Sequence, residues 1–133
     1  MSTHCGIAVK TDKGYETIYC HHDGMPSRMY PMLHDNYGTE ELANKLISFG
    51  DASSIHEKLV PTRGHHSFDN PEKGVCVFYC RDRGEKAADT RPCPYDTKKD
   101  VLDRYYYAYI FEDGKWTAYT DNIEVIINKG IFG

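Results

Sequence analysis

Imidazole, carboxylate and thiol groups crowd into one short stretch, Tyr19-Cys20-His21-His22-Asp23-Gly24. A neutral histidine offers a lone pair to a proton or a metal, and a neighbouring carboxylate orients it or balances the charge it gains. His21 and Asp23 are therefore candidates for ligand binding and for acid–base work, with Glu85 as a further catalytic candidate. His4 and Cys5, from the strand expected alongside, would join Cys20 and His22 in a donor set for which zinc is conceivable. The spacing matches no standard zinc signature, because it lacks the two-residue gap between cysteines. A strand end whose His and Asp hydrogen-bond a turn, with Cys20 in the core, accounts for the same residues. No cofactor is expected.

A second cluster is Arg81-Asp82-Arg83-Gly84-Glu85, read as the continuation of a strand from Val75 to Cys80. Alternation then sends Arg81 and Arg83 to the side of Val75, Val77 and Tyr79, with Asp82 opposite. Two guanidinium forks on one side can grip a phosphate or carboxylate, and Gly84 lets a backbone approach closely. The competing reading is a solvated strand end with internal ion pairs, each worth ~0.5 kcal/mol. Cys76 and Cys80 would share a face but lie roughly 13 Å apart, as buried, inert thiols.

The third feature is the run Tyr105-Tyr106-Tyr107-Ala108-Tyr109-Ile110-Phe111. On a strand, Tyr105, Tyr107, Tyr109 and Phe111 form an aromatic ladder. Tyr107 and Tyr109 are candidate stacking residues, at ~1–3 kcal/mol for each base so held. A core layer or an oligomer interface explains the ladder equally well.

The elements that must carry these groups follow from periodicity and punctuation. Cys5–Lys10 and Glu16–His21 read as strands around Asp12-Lys13-Gly14. With Lys13-Gly14 as a two-residue turn, Val9 faces Ile18, Ile7 faces Cys20 and Cys5 faces His22. Ile7, Val9, Ile18 and Cys20 then face the core, and Tyr19, His21 and Asp23 face away. After a turn at residues 23–26, Ser27 is expected to cap a helix from Arg28 to about His34, limited by Pro31 to roughly one and a half turns. Thr39 caps a second helix, with Glu40 and Glu41 in its first turn, Leu42, Leu46 and Phe49 as its apolar stripe and Gly50 ending it. Residues 86–100 have no period and are expected to form a surface loop. The clearest hairpin is 105–112 with 115–120, its Asp113-Gly114 turn setting Phe111 opposite Trp116 and Tyr109 opposite Ala118. Residues 123–127 add a strand or a short helix. The expected fold is α+β: one domain over residues 1–133, an antiparallel sheet with about two helices packed on one face.

Composition narrows the function classes. The chain has 133 residues, enough for a continuous core without staples. Its net charge of −4 argues against bulk nucleic-acid binding, while leaving room for a local basic pocket. Five cysteines and no basic-then-apolar leader after Met1 fit reduced thiols in a cytosol. No run reaches the ~18 apolar residues of a membrane span. Phosphate-loop, dinucleotide-binding, nucleophile-elbow and paired-His zinc motifs are all missing. The 11 tyrosines suit ligand pockets and interfaces as well as half-buried sheets.

Ile18-Tyr19-Cys20-His21-His22-Asp23-Gly24-Met25-Pro26 resembles an IYCHxDGxP pattern found in a family of small bacteriophage and prophage proteins without an assigned activity. The likeness continues through Gly50-Asp51-Ala52-Ser53-Ser54-Ile55 and Tyr79-Cys80-Arg81-Asp82-Arg83-Gly84-Glu85. It fades in the C-terminal third. His22 stands where an aromatic residue is more usual, and Met25 where a tyrosine is. The resemblance implies the cytoplasm of a bacterial host and a shared site of His21, Asp23, Arg81, Asp82, Arg83 and Glu85. In that setting the leading expectation is a counter-defence binding protein. It sequesters a phosphorylated nucleotide signal or blocks a host defence protein, and it is homo-oligomeric through its tyrosines. The alternatives are a phosphodiesterase-like nucleotide hydrolase using His21 and Asp23 with or without a metal, and an inhibitor of a host protein acting through an acidic surface.

Overall fold

Alternating apolar residues build the first hairpin, Cys5–Thr11 (β1) with Gly14–Cys20 (β2). A computed structural model describes residues 3–125. The turn residues are Asp12 and Lys13 rather than Lys13 and Gly14: Thr11 pairs with Gly14, Ile7 with Ile18 and Cys5 with Cys20. The register thus differs from expectation by two residues. An even slip leaves each side chain on its face, so Ile7, Val9, Ile18 and Cys20 enter the main core as the pattern requires.

The first helix, Pro26–Asn36 (α1), begins with a proline whose missing N–H needs no partner in an opening turn. Met25 occupies the cap position, so Ser27 is not the cap, and the helix runs 11 residues through Pro31. Buried Met29 and Leu33, one turn apart, anchor it on either side of that proline. The second helix, Glu40–Ser48 (α2), is capped as expected, Thr39 Oγ1 accepting from the Leu42 amide at 3.2 Å. Its inward stripe is Ala43, Leu46 and Ile47, while Leu42 is 38% exposed. Trp116 Nε1 donates to the Tyr37 carbonyl across 2.8 Å and ties the end of α1 to the C-terminal hairpin.

The remaining elements are Ala52–Ser54 (β3), Val77–Phe78 (β4), Tyr79–Arg83 (α3), Ala87–Thr90 (α4), Cys93–Tyr95 (β5), Lys98–Arg104 (α5), Tyr107–Glu112 (β6), Lys115–Thr120 (β7) and Ile123–Val125 (β8). Among the described residues eight strands form one mostly antiparallel sheet in the order β4-β3-β2-β1-β6-β7-β8, with β5 paired to β2. The β1–β6 and β2–β3 pairs are parallel. The β6–β7 register matches expectation, Phe111 opposite Trp116 and Tyr109 opposite Ala118. β8 is a strand, and positions 126–127 of the expected segment lie outside the described residues.

Two helices on one sheet face, as the pattern required, cover the main core. The opposite face carries a smaller cluster in which Val101 and Leu102 of α5 pack on Ala8, Tyr15, Ala108, Ile110 and Tyr119. The segment 86–100, expected as a surface loop, therefore holds α4, β5 and the start of α5, the last capped by Thr97 Oγ1. Two adjacent apolar residues are too few to create a helical period, and only the facing sheet reveals their purpose. Among the described residues no helix is long and apolar enough to cross a membrane.

Candidate functional site

The site lies on the face that α5 only partly covers. Odd-numbered residues of β2 point there, which brings out Thr17 and Tyr19. β5 pairs with β2 no further than Thr17, and β3 joins it only at Cys20. Between them the Tyr19 amide finds a side chain instead, donating to Asp51 Oδ1 at 2.9 Å. Burial pushes the Asp51 carboxyl above its usual range, and the Glu85 charge adds to the effect, while the Tyr19 N–H opposes it.

Two recesses flank this point and share Tyr19, Arg104 and Tyr105 as a common wall. The larger, about 700 Å³, reaches Thr17, Asp51, Arg91 and Tyr95. The smaller, about 450 Å³, reaches His4, Tyr106 and Tyr107. The Arg104 guanidinium sits 5.0 Å from the centre of the Tyr105 ring, so cation and aromatic face are offered together. Burial raises the Tyr105 phenol well above its ordinary value, which keeps it a neutral donor. Thr17 Oγ1 is fully buried and has no hydrogen-bond partner among the described residues.

Beside the smaller recess, Tyr19 Oη lies 2.8 Å from His4 Nδ1 and 2.6 Å from His21 Nδ1. The rings of His4 and His21 are 4.6 Å apart, and so are those of His21 and His22. Desolvation, then the neighbouring His22 and His4, hold the His21 imidazole below its usual range. No protein-family model, characterised protein or solved structure matches the chain.

The residues singled out from sequence are dispersed by the fold. His21 takes Tyr19 as its partner, while Asp23 turns outward in a left-handed conformation with φ of 58°. The expected strand 75–80 stops at Phe78 and becomes α3, so the alternation that paired Arg81 with Arg83 does not apply. Arg81 is engaged internally: it donates to the Leu59 and Cys76 carbonyls and to Asp82, and lies over the rings of Phe49 and Phe78. Asp82 accepts from the Phe78 amide as well. Arg83 points elsewhere, over Phe68, and pairs with Glu85 at 3.5 Å. No shared fork forms, because a helix of this pitch turns neighbouring guanidinium groups apart.

Tyr109 belongs to the core: it is 0% exposed and its hydroxyl donates to the Gly24 carbonyl at 2.6 Å, so it cannot stack a ligand. Tyr107 remains at the wall of the smaller recess. Cys5 and Cys20 face the main core whereas His4 lies beside Tyr19 on the opposite side, so the suggested zinc donors do not converge. Among the described residues no group of three His, Cys, Asp or Glu side chains is placed to hold a metal. Cys76 is buried, its thiol beside the Tyr37 hydroxyl, while Cys80 is half-buried in α3.

Thr17, Asp51, Arg91 and Arg104 were not singled out as site residues from the sequence, and Tyr105 entered only as a member of the expected aromatic ladder. They converge only because α5 and β5 fold back onto β2, and the one local hint was Arg104 directly preceding the tyrosine run. What the arrangement offers is guanidinium groups and flat aromatic surface around a divided cleft, with the Asp51 and Asp89 carboxylates also lining its larger side.

Proposed function

We propose that this chain is a binding protein for a small phosphorylated, ring-bearing ligand, a nucleotide being the type. In the bacteriophage setting that its resemblance implies, it acts in counter-defence by sequestering such a signal. The observation that carries the reading is the Arg104–Tyr105 wall: a guanidinium suited to phosphate stands against a tyrosine ring suited to a base, with a recess on each side. Recesses of several hundred Å³ are of the size that small-ligand sites commonly have. Arg91 adds a second guanidinium to the larger recess, beside the Asp51 and Asp89 carboxylates.

Native mass spectrometry of protein purified from nucleotide-rich bacterial lysate, followed by titration with mono-, di- and cyclic nucleotides, tests this. A nucleotide released intact on denaturation supports the reading. Arg104→Ala should weaken its binding about tenfold or more, as expected for loss of a charge-assisted hydrogen bond. A ligand-free spectrum together with no affinity tighter than about 1 mM for the whole panel overturns it.

A further inference from the structure

Hydrogen-bond direction fixes the proton at the head of the row His4–Tyr19–His21. His4 Nδ1 lies 3.0 Å from the His21 carbonyl oxygen, which can only accept, so this nitrogen carries the hydrogen. The same N–H is 2.8 Å from Tyr19 Oη, which therefore accepts as well. His21 Nδ1 lies 2.6 Å from the same Tyr19 oxygen, where either group can donate. Neutral His4 is left with a bare lone pair on Nε2, and this exposed side chain lines the same recess as Arg104.

We propose that His4 is the phosphate-gripping group of this recess, taking up one proton at Nε2 when a phosphate monoester dianion seats between it and Arg104. The inference rests on the nucleotide-binding reading and assigns its phosphate subsite. No covalent bond changes: a neutral imidazole, a proton and a dianion become an imidazolium–phosphate pair. The new N–H donates to a phosphate oxygen, while the Nδ1–H stays on two acceptors that a cation strengthens.

The groups facing His4 set the balance. From β2 and the residue after it come Tyr19 and His21, the latter with His22 on its other side, and from the end of α5 come Arg104 and Tyr105. From the start of β6 come Tyr106 and Tyr107. Arg104 is the permanent cation of this set. Desolvation and its histidine neighbours hold His21 toward the neutral form.

The test uses adenosine 5′-monophosphate as the probe. Long-range proton–nitrogen NMR of the free protein should find His4 as the Nδ1–H tautomer. Calorimetry at about pH 7.5 in two buffers of different ionisation heat should give about one proton taken up per probe, so that affinity falls about tenfold per pH unit. His4→Gln should abolish both the uptake and the slope while the probe still binds, more weakly. An Nε2–H tautomer at His4, or binding without proton uptake, overturns this inference and leaves the nucleotide-binding reading standing. Failure of the probe and of every other nucleotide to bind overturns both.

Discussion

His66 Nε2 lies 3.2 Å from an Asp82 carboxylate oxygen, with the two side chains only 1% and 4% exposed. His66 Nδ1 accepts from the Glu72 amide at 2.9 Å, so the imidazole hydrogen is on Nε2 and is donated to Asp82. Asp82 also takes bonds from the Phe78 amide and from Arg81, and these partners hold its carboxyl below the usual range against the opposing effect of burial. An acid–histidine pair so enclosed, with both ring nitrogens engaged, fastens the 55–76 connection to α3. Glu72 completes the fastening: the Thr62 hydroxyl and amide and the Arg63 amide donate to its carboxylate, lowering it to about 2.

Asp82→Ala should therefore cost about 3–5 kcal/mol in urea unfolding, the usual penalty for leaving a buried partner uncompensated. Arg81→Ala should also destabilise, and the folded fraction should keep its nucleotide affinity. A loss below about 1 kcal/mol for Asp82→Ala would show that the network does not hold the connection.

Thr17→Val replaces a buried, unpartnered hydroxyl by a methyl of similar size. Removing an unsatisfied polar atom should stabilise the fold by about 1 kcal/mol, and because this oxygen is fully buried, nucleotide affinity in the larger recess should stay unchanged. Thermal melts and calorimetry on the same preparation read both effects. No gain in stability would show that the hydroxyl is satisfied in solution.

Asp51→Asn should raise the melting temperature at neutral pH. The folded state holds this carboxyl above its ordinary value of 3.8, so it binds the proton more tightly than the unfolded chain does. Stability is consequently lost as pH rises through that range, and the whole penalty is in force at pH 7. The asparagine oxygen still accepts from the Tyr19 amide without carrying the charge. The advantage over the native protein should shrink in acid. An equal or lower melting temperature at neutral pH counts against this account.

Acid should loosen the protein before its carboxylates titrate. His21 and His56 are both held below the ordinary imidazole value of 6.5, chiefly by desolvation, with Arg28 opposing the charged form of His56. Their folded forms bind protons less well than the unfolded chain, so their contribution is present above about pH 6.5 and fades as pH falls through the folded values. Melting temperatures measured from pH 7.5 to 5 should decline, and His56→Gln should flatten the decline. A flat native profile would contradict it.

Much of the fold was legible because its signals are local. The Ile7, Val9, Ile18 and Cys20 face, the Thr39 cap and the Asp113-Gly114 hairpin each depend on residues close in sequence. The first turn was placed one residue late without harm, since a two-residue change in pairing preserves the inward set. The end of the strand before Arg81 was not legible. Asp82, accepting from the Phe78 amide and from His66, favours a helical turn there, and His66 is sixteen residues away along the chain.

The site itself was mostly illegible. Sequence brought forward His21, the neighbouring Tyr19 and Tyr107, because unusual residue types cluster around them. Whether His21 would partner Asp23 or Tyr19, whether Arg81 would face solvent or the interior, and whether Tyr109 would stack a ligand or fill the core were decided by tertiary contacts. So was the meeting of Arg104, Tyr105, Asp51 and Thr17. Periodicity records which side of its own element a residue occupies. What stands opposite depends on how strands and helices distant in sequence pack, and on which buried polar groups must then find partners.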